Sequence, residues 1–388
     1  MPEQETDLNQ ELSCFAGKRV FLTGHTGFKG SWLALWLHDL GASVFGYSLK
    51  PTTETSNFYA SDIQPLLEGH QIGDIRDRAV LTKAIKTASP DVILHLAAQP
   101  LVRESYSIPF ETHEVNYMGT CNVLEAVRTL DRPCSVLVVT TDKCYENQEQ
   151  LWGYRENDRI GGHDPYSASK AAVELLTTSY RSSFFSPAKI ADHGVRLASA
   201  RAGNVIGGGD WALDRIVPDI VRSLIAEKPI SIRCPNAIRP WQHVLEPLSG
   251  YLKLASRLMT RDDPHDASAW NFGPTIEGNQ TVLSLAKTFC KYWGSGSWDC
   301  DGSTNRLHET NVLRLSIEKA LTQLDWKPTW NFETTIEKTA HWYRRHALGD
   351  SMMQAACRQD IEDFVAASAK VDHERASAES AISLKMAS

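Results

Sequence analysis

The sequence has few of the features that mark metal ribbons, disulfide scaffolds or membrane spans. Its eight cysteines are scattered over 388 residues and none forms a Cys-x-x-Cys pair, which argues against a zinc ribbon and a disulfide framework. Its thirteen histidines show no His-Glu-x-x-His or other metal-ligand spacing. No segment approaches the roughly 20 apolar residues that a membrane-spanning helix needs. We therefore expect no metal and no membrane contact, and the cysteine pattern favours a reducing cytoplasm.

Charge and the two ends of the chain narrow the class further. The net charge is −7 and no Lys/Arg-rich run stands out, so nucleic acid is not an expected partner. Residues 1–14 are polar and acidic, unlike a signal peptide, and are predicted to form a flexible tail. Residues 368–388 are rich in Ala and Ser and poor in large apolar side chains, which predicts a disordered tail.

Between these ends the sequence alternates between strands and helices. Apolar runs typical of buried strands lie at residues 19–24, 43–48, 92–98, 135–141 and 195–205. The alternation predicts an α/β fold, a Rossmann-type doubly wound parallel sheet that binds its ligand at the carboxyl ends of the strands. We expect a dinucleotide-binding domain at 15–200 and a smaller, mainly helical substrate part at 201–350, with some of its segments returning to the first domain.

A glycine-rich loop joins the first predicted strand to a helix. Gly24, Gly27 and Gly30 form a G-x-x-G-x-x-G pattern, which lets the chain turn tightly and brings bare backbone against a pyrophosphate. The helix N-terminus that follows supplies free N–H groups and a positive dipole end. The loop therefore predicts a dinucleotide site, to which we also assign Thr26 and Phe28.

The identity of the dinucleotide is less clear from the second strand. An acidic residue that usually binds the ribose of NAD is missing. Ser48 could bind that ribose and Lys50 could meet a 2′-phosphate, so NAD is favoured and NADP stays open. Asp74 is interpreted as an acceptor for the adenine amino group, as a helix N-cap, or as both. Further cofactor contacts are expected from Ile75, Leu96, Ala97 and Ala98.

A tyrosine and a lysine stand four residues apart at the start of a predicted helix. Asp164 suits the N-cap and Pro165 the first helical position, so Tyr166 and Lys170 share one face. A free tyrosine titrates near about 10 and is a poor base at neutral pH. A neighbouring ammonium and the helix N-terminus favour its phenolate, and Lys170 can also bind the nicotinamide ribose. An incidental pair on a surface helix is the alternative.

The order of glycine loop, threonine-bearing strand end and Tyr-x-x-x-Lys resembles the extended short-chain dehydrogenase/reductase superfamily. The resemblance implies a catalytic set of Thr141, Tyr166 and Lys170. Thr141 would hydrogen-bond a substrate hydroxyl while Tyr166 removes its proton and a hydride passes to the nicotinamide. Extended members act mostly on nucleotide sugars, so a nucleotide sugar is the expected substrate.

The strand end Thr141-Asp142-Lys143 is similar to the Thr-Asp-Glu pattern of sugar 4,6-dehydratases. With its lysine it resembles the CDP-glucose 4,6-dehydratases, and the likeness runs from about residue 17 to residue 345. It implies oxidation of CDP-glucose at C4, loss of water across C5–C6 and return of the hydride to C6. Asp142 would be the acid for the leaving hydroxyl. Lys143 would be the base at C5, which we favour, or a cation that stabilises the enolate.

The same resemblance implies substrate contacts. Asn204 would contact the phosphates and Arg239 would pair with the diphosphate, with Arg201 near the expected cleft. A surface salt bridge is the alternative for both arginines. Further candidates for the sugar or the nucleotide are Arg103, Ser105, Tyr106, His308 and Glu309.

Other functions and assemblies remain open at this stage. A nucleotide-sugar 4-epimerase has the same fold but no need of Asp142 and Lys143, and the dehydratase could use another nucleotide. A non-enzymatic NAD(P)-binding regulator would not need Tyr166 and Lys170. The resemblance also implies a homodimer through the helix near 112–130 and the helix that begins at Asp164, extended to a dimer of dimers as an alternative.

Overall fold

The computed structural model describes residues 8–51, 53–300 and 313–386, with side chains as far as residue 371. Its strands are β1 (Arg19–Thr23), β2 (Ser43–Ser48), β3 (Gly69–Ile72), β4 (Val92–His95), β5 (Cys134–Val139), β6 (Val195–Ala202), β7 (Val205–Ile206), β8 (Ile230–Ile232), β9 (Ile238–Pro240), β10 (Gln242–His243), β11 (Ala269–Phe272), β12 (Asn279–Thr281) and β13 (Trp298–Cys300).

The α-helices are α1 (Leu8–Leu12), α2 (Phe28–Asp39), α3 (Asn57–Ala60), α4 (Arg78–Ala88), α5 (Val102–Ser107), α6 (Pro109–His113), α7 (Gly119–Val127), α8 (Pro165–Ser183), α9 (Ile190–His193), α10 (Ile216–Ile225), α11 (Leu245–Thr260), α12 (Val282–Trp293), α13 (Glu318–Gln323), α14 (Phe332–Ala347) and α15 (Met353–Met386). Short 3-10 turns lie at Ser13–Phe15, Gln64–Leu66, Asp142–Cys144, Pro187–Lys189 and Ile276–Gly278, and a π-helical turn at Glu114–Met118. None of these described helices is both long and apolar enough to cross a bilayer.

Seven strands form one parallel sheet in the order β11-β6-β5-β4-β1-β2-β3. The order reverses between β1 and β4, so the carboxyl ends of these two strands flank a crevice. Trp32 and Trp36 of α2 are buried on one face of the sheet, and Val123 of α7 and Val173 of α8 on the other. Helices thus cover both faces of a parallel sheet, which confirms the predicted fold class.

The second part of the chain contributes both to this sheet and to a separate wall. Strand β11 pairs with β6, Ala269 lying opposite Ser199, and α11 packs against β5 and β6. The remaining strands pair as β7 with β10, β9 with β12 and β8 with β13. The division into parts at 15–200 and 201–350 stays a proposal, with α11 and β11 as the segments that return to the first part.

Both predicted tails differ from the structure where it describes them. Leu8 and Leu12, four residues apart on α1, are buried, and the Ser256 hydroxyl on α11 donates to the carbonyl of Glu11 at 2.9 Å. A flexible tail is therefore wrong for this stretch, because the two leucines give the short helix an apolar face; residues 1–7 lie outside the description. Helix α15 continues to Met386, where disorder was predicted, because Ala, Glu and Lys favour helix.

Candidate active site

A large cleft lies at the carboxyl ends of the sheet strands, between the glycine loop and the wall built by residues 201–241. Its volume is about 2220 Å³, which exceeds the roughly 300–1,000 Å³ of a pocket for one small ligand. The lining includes all eleven residues assigned to the cofactor from the glycine loop and the strand ends, together with Tyr166 and Lys170. The cleft therefore has room for a dinucleotide and a second nucleotide-sized ligand.

The glycine loop follows β1 and packs closely against the next strand end. Gly24 has φ +78°, and a Cβ there would stand 2.8 Å from the backbone nitrogen of Ala97. A Cβ on Gly30 would stand 2.0 Å from the carbonyl oxygen of Gly24. Gly27 precedes α2 with no side-chain cap, so the first N–H groups of α2 keep their hydrogen-bonding capacity for a ligand. This bare cradle fits the pyrophosphate of the predicted dinucleotide.

Ser48 and Asp74, which were assigned to the adenosine end of the dinucleotide, both line the cleft and both make hydrogen bonds with neighbouring side chains. The Thr26 hydroxyl donates to the carbonyl of Leu49 at 2.8 Å, and the Ser48 oxygen lies 2.9 Å from it. Asp74 accepts from the guanidinium of Arg76 at 2.7 Å, and this hydrogen bonding lowers the pKa of Asp74.

The N-cap alternative for Asp74 is wrong. Asp77 caps α4 by accepting from the backbone N–H of Val80 at 3.1 Å, since it stands directly before the first helical residue. Asp74 therefore remains a cleft residue, oriented by its bonds to Arg76.

The predicted catalytic threonine and tyrosine face each other across the cleft. Thr141 lies two residues beyond β5 and caps the turn that follows, accepting from the backbone N–H of Lys143 at 3.3 Å. Asp164 caps α8 by accepting from Ser167 at 2.9 Å, which directs Tyr166 inward. Burial raises the pKa of Tyr166 to about 12, and a hydrogen bond with Thr141 opposes that rise. Burial thus opposes the phenolate that Lys170 and the helix N-terminus were expected to favour.

Lys170 lies one turn further along the same face of α8. Its ammonium donates to the carbonyl of Val139 at 3.2 Å. Burial lowers the pKa of Lys170 to about 8, against the opposing charge of Glu174. The group is still mainly an ammonium at neutral pH, as its predicted role beside Tyr166 requires.

Asp142 is the least satisfied acid of this region. Its side chain is 1% exposed, and its Oδ2 atom has no hydrogen-bond partner. Thr141 donates to the other oxygen at 3.0 Å, and the ammonium of Lys143 lies 3.6 Å from it. An unpaired buried carboxyl oxygen costs free energy, so its place in the cleft suits a group that meets a ligand. Lys143 is 35% exposed and stands at the rim of the same space.

Two cleft residues were missed by the sequence reasoning. Lys29, inside the glycine loop, donates to the hydroxyl of Tyr251 at 3.4 Å, and burial with the nearby charges of Arg215 and Lys170 lowers its pKa to about 7. Arg215 is held by Asp210 at 2.8 Å and its charge acts on Tyr166. The position of Lys29 between two loop glycines could have indicated that it lines the cleft. No sequence pattern indicated Arg215, because its position depends on the fold of the 207–215 loop.

Two predicted substrate residues lie outside the cleft lining, which corrects those assignments. The guanidinium of Arg201 is 4% exposed and pairs with Glu174 at 2.7 Å, and it also donates to Tyr145. Ser105 is fully buried, and its hydroxyl accepts from the backbone N–H of Tyr166 at 3.2 Å. Both residues support the catalytic helix from behind and do not contact the cleft.

The buried pair leads to a stability prediction. Arg201→Met should destabilise the fold by about 3–5 kcal/mol, because it leaves the carboxylate of Glu174 buried without its cation. Arg196→Met on the same strand is the control, since its pair with Asp262 is exposed on the Asp side (77%) and should contribute about 0–1 kcal/mol. Urea unfolding measures both, and equal small losses would contradict the assignment of Arg201 to the core.

The other substrate candidates line the cleft where the structure describes them. Asn204, Arg239, Tyr106 and Arg103 are all wall residues. Arg239 projects from β9, and its guanidinium donates to the carbonyl of Ile238 at 3.0 Å. His308 and Glu309 lie outside the described residues.

Comparisons of the sequence identify close relatives of the chain. The family described as GDP-mannose 4,6 dehydratase matches residues 21–339. A CDP-glucose 4,6-dehydratase of Salmonella typhimurium is 48% identical over 355 residues, which are 91% of this chain and 98% of that protein. A CDP-paratose 2-epimerase of Salmonella typhi is 26% identical, over 84% of this chain and 98% of that protein.

Solved structures share the fold at lower identity. The dTDP-glucose 4,6-dehydratase DesIV of Streptomyces venezuelae, solved with NAD and TYD bound, superposes with a TM-score of 0.69 at 22% identity, over 84% of this chain and 97% of that one. A UDP-glucose-4-epimerase of Stenotrophomonas maltophila with bound NAD gives 0.71 at 20%, over 86% and 99%. The family match over most of the chain and the relative at 48% identity show that the chain belongs to the GDP-mannose 4,6 dehydratase family.

Proposed function

We propose that this protein is a CDP-glucose 4,6-dehydratase that uses bound NAD and returns it unchanged. The observation that carries the proposal is Asp142, a buried acid with one unpaired oxygen, placed between Thr141 and the ammonium of Lys143. An enzyme that only oxidises and reduces C4 has no use for this acid. An enzyme that expels a hydroxyl does, because the leaving oxygen needs a proton.

The cleft fits NAD by its glycine cradle and its strand ends. NAD, when bound, supplies an acceptor for the hydride of C4 and a donor for C6. Gly24, Gly27 and Gly30 would hold the pyrophosphate, with the small residues that follow β4 beside it. Related dehydratase structures contain NAD, which supports NAD over the NADP that Lys50 left open.

Oxidation at C4 is assigned to Thr141, Tyr166 and Lys170. Thr141 would hold the C4 oxygen, and Tyr166, after losing its own proton, would take the C4 hydroxyl proton as a phenolate while the C4 hydride departs. Because burial raises the pKa of Tyr166, formation of its phenolate needs positive charges nearby. We assign this to Arg215, whose charge lowers the pKa of Tyr166, and to Lys170, one turn further along α8.

Elimination is assigned to Asp142 and Lys143. The C4 ketone acidifies the C5 hydrogen, and Lys143, as a neutral amine, would take that proton while the C5–C6 double bond forms. The C6–O bond breaks as Asp142 gives its proton to the leaving oxygen, which departs as water. The hydride then returns to C6 and a proton to C5, giving CDP-4-keto-6-deoxyglucose. No net oxidation or reduction results.

The other readings receive less support from the site. In a 4-epimerase, Asp142 and Lys143 would have no catalytic role. In a non-enzymatic regulator, Tyr166 and Lys170 would have none. The assignment of a cytidine nucleotide rests on the Salmonella relative at 48% identity, against 25% for a protein of Sinorhizobium fredii named "Probable dTDP-glucose 4,6-dehydratase". Asn204, Arg239, Arg103 and Tyr106 are proposed as the substrate contacts.

The assembly and the compartment are proposed with the function. Phe110 of α6, Met118 beside α7, and Leu175 of α8 are 72%, 48% and 62% exposed, an apolar surface on the predicted dimer helices. We propose a homodimer through them; a monomeric mass by light scattering would refute it.

All eight cysteines carry free thiols, which fits a cytoplasmic enzyme, and recovery of the native protein outside the cytoplasm would contradict this placement.

A panel of sugar nucleotides tests the proposed activity. The NAD-loaded protein is incubated with CDP-, dTDP-, UDP- and GDP-glucose, and the 4-keto-6-deoxy product is identified by NMR. We expect efficient conversion of CDP-glucose alone. Turnover of another nucleotide instead would move the assignment to that dehydratase, and no 4-keto product from any of the four would refute it.

A further inference from the structure

We propose that Arg103 and Arg233 form an anion subsite for the diphosphate of the substrate, and that Asp214, which bridges the two guanidinium groups, acts as an internal competitor. The inference rests on the proposed function for the identity of the ligand. It assigns a binding role to Arg233 and an opposing role to Asp214, and it gives Arg103 a specific ligand group.

The three charges meet at the mouth of the cleft. Arg103 lies on α5, directly beyond the crevice strand β4, whereas Asp214 and Arg233 belong to the opposite wall. The guanidinium of Arg103 lies 3.3 Å from the Oδ1 atom of Asp214, and the guanidinium of Arg233 lies 3.2 Å from the same oxygen. All three residues line the cleft. One carboxylate oxygen thus bridges two cations that belong to different walls.

The ion pairs that Asp214 makes with Arg103 and Arg233 are weak enough for a diphosphate to replace them. The side chains of Arg103, Asp214 and Arg233 are 38%, 47% and 36% exposed, so each ion pair contributes little on its own. A diphosphate carries more charge than one carboxylate and offers several oxygens to two guanidinium groups. It would therefore replace Asp214 between them, and the carboxylate would oppose binding until it moved away.

Arg233 keeps a second contact that does not involve Asp214. Its other terminal nitrogen lies 3.9 Å from Asp219, which is itself held by Arg222 at 2.6 Å. Asp214 has φ +60°, a left-handed conformation that Asp and Asn tolerate better than most residues. The amide variant Asp214→Asn therefore removes the charge at little cost to the backbone, and Asp219 still orients Arg233.

The test is the affinity of the NAD-loaded full-length protein for CDP, measured by calorimetry at low and high salt. Asp214→Asn is expected to bind CDP about 3- to 5-fold more tightly at low salt, since an exposed bridge contributes up to about that factor. The gain should shrink as salt screens the charges. Weaker or unchanged binding of CDP at low salt would overturn the proposal.

Two variants separate the subsite from a general change of charge. Asp219→Asn removes the same charge from the same wall but no contact with Arg103, and we expect a gain under about twofold. The double variant Asp214→Asn/Arg233→Gln should lose the gain, as coupled residues do. Equal gains for both single variants, or a gain that survives in the double variant, would overturn the subsite. If CDP-glucose is turned over in that case, the proposed function stands without it.

Discussion

Tyr166→Phe is expected to reduce dehydratase turnover by about 10²- to 10⁴-fold, the contribution of a positioned acid or base. The substitution removes one oxygen from a buried ring and leaves Thr141, Lys170 and the glycine cradle in place. Because the missing group is the acceptor of the C4 hydroxyl proton, no reduced nicotinamide should form when CDP-glucose is added. The measurement is single-turnover absorbance of the reduced cofactor, together with product analysis by NMR.

A matched tyrosine elsewhere provides the control. Tyr59 on α3 is 48% exposed and does not line the cleft, so Tyr59→Phe should keep full activity. Affinity for CDP should be unchanged in Tyr166→Phe, which separates loss of chemistry from loss of binding. Retention of more than about a tenth of the wild-type turnover would remove Tyr166 from the role of proton acceptor.

Lys143→Met is expected to separate oxidation from elimination. The variant keeps the length of the side chain and removes its amine, so C4 oxidation should still produce reduced nicotinamide. Exchange of the C5 hydrogen in heavy water should stop, and the 4-keto-6-deoxy product should form about 10²- to 10⁴-fold more slowly. Rapid-quench sampling followed by mass spectrometry measures both quantities on one reaction.

Asp142→Asn provides the contrasting variant for the same step. It removes the acid that protonates the leaving hydroxyl but leaves Lys143 in place, so C5 exchange should continue while water is retained. If Lys143→Met exchanges C5 at the wild-type rate, another group removes the proton. Lys143 would then act as the cation that stabilises the enolate, which is the alternative that the sequence left open.

Local sequence signals predicted the parts of the site that depend on neighbouring residues. The cap at Asp164, the i, i+4 spacing of Tyr166 and Lys170 and the close approach of Gly24 all follow from a few consecutive residues, and the structure contains each of them. The doubly wound parallel sheet also followed from the sequence, because alternating strands and helices admit few topologies.

Long-range packing decided the assignments that failed. Arg201 stands near the end of a strand that faces the cleft, but Glu174 from α8 lies beneath it and takes its charge. Ser105 was expected to face a sugar, yet it meets the N-terminus of α8. Burial also has a larger effect on the pKa of Tyr166 than the charges around it. None of these outcomes is visible in the spacing of residues, since each depends on which elements meet in space.

The fate of the C4 hydrogen tests the central claim most directly. CDP-glucose labelled with deuterium at C4 is incubated with the protein and unlabelled NAD, and the product is examined by NMR. The account predicts CDP-4-keto-6-deoxyglucose with the deuterium at C6, because the hydride leaves C4 and returns within the same active site. A product that keeps its oxygen at C6 and has deuterium at an inverted C4 would contradict it and identify an epimerase.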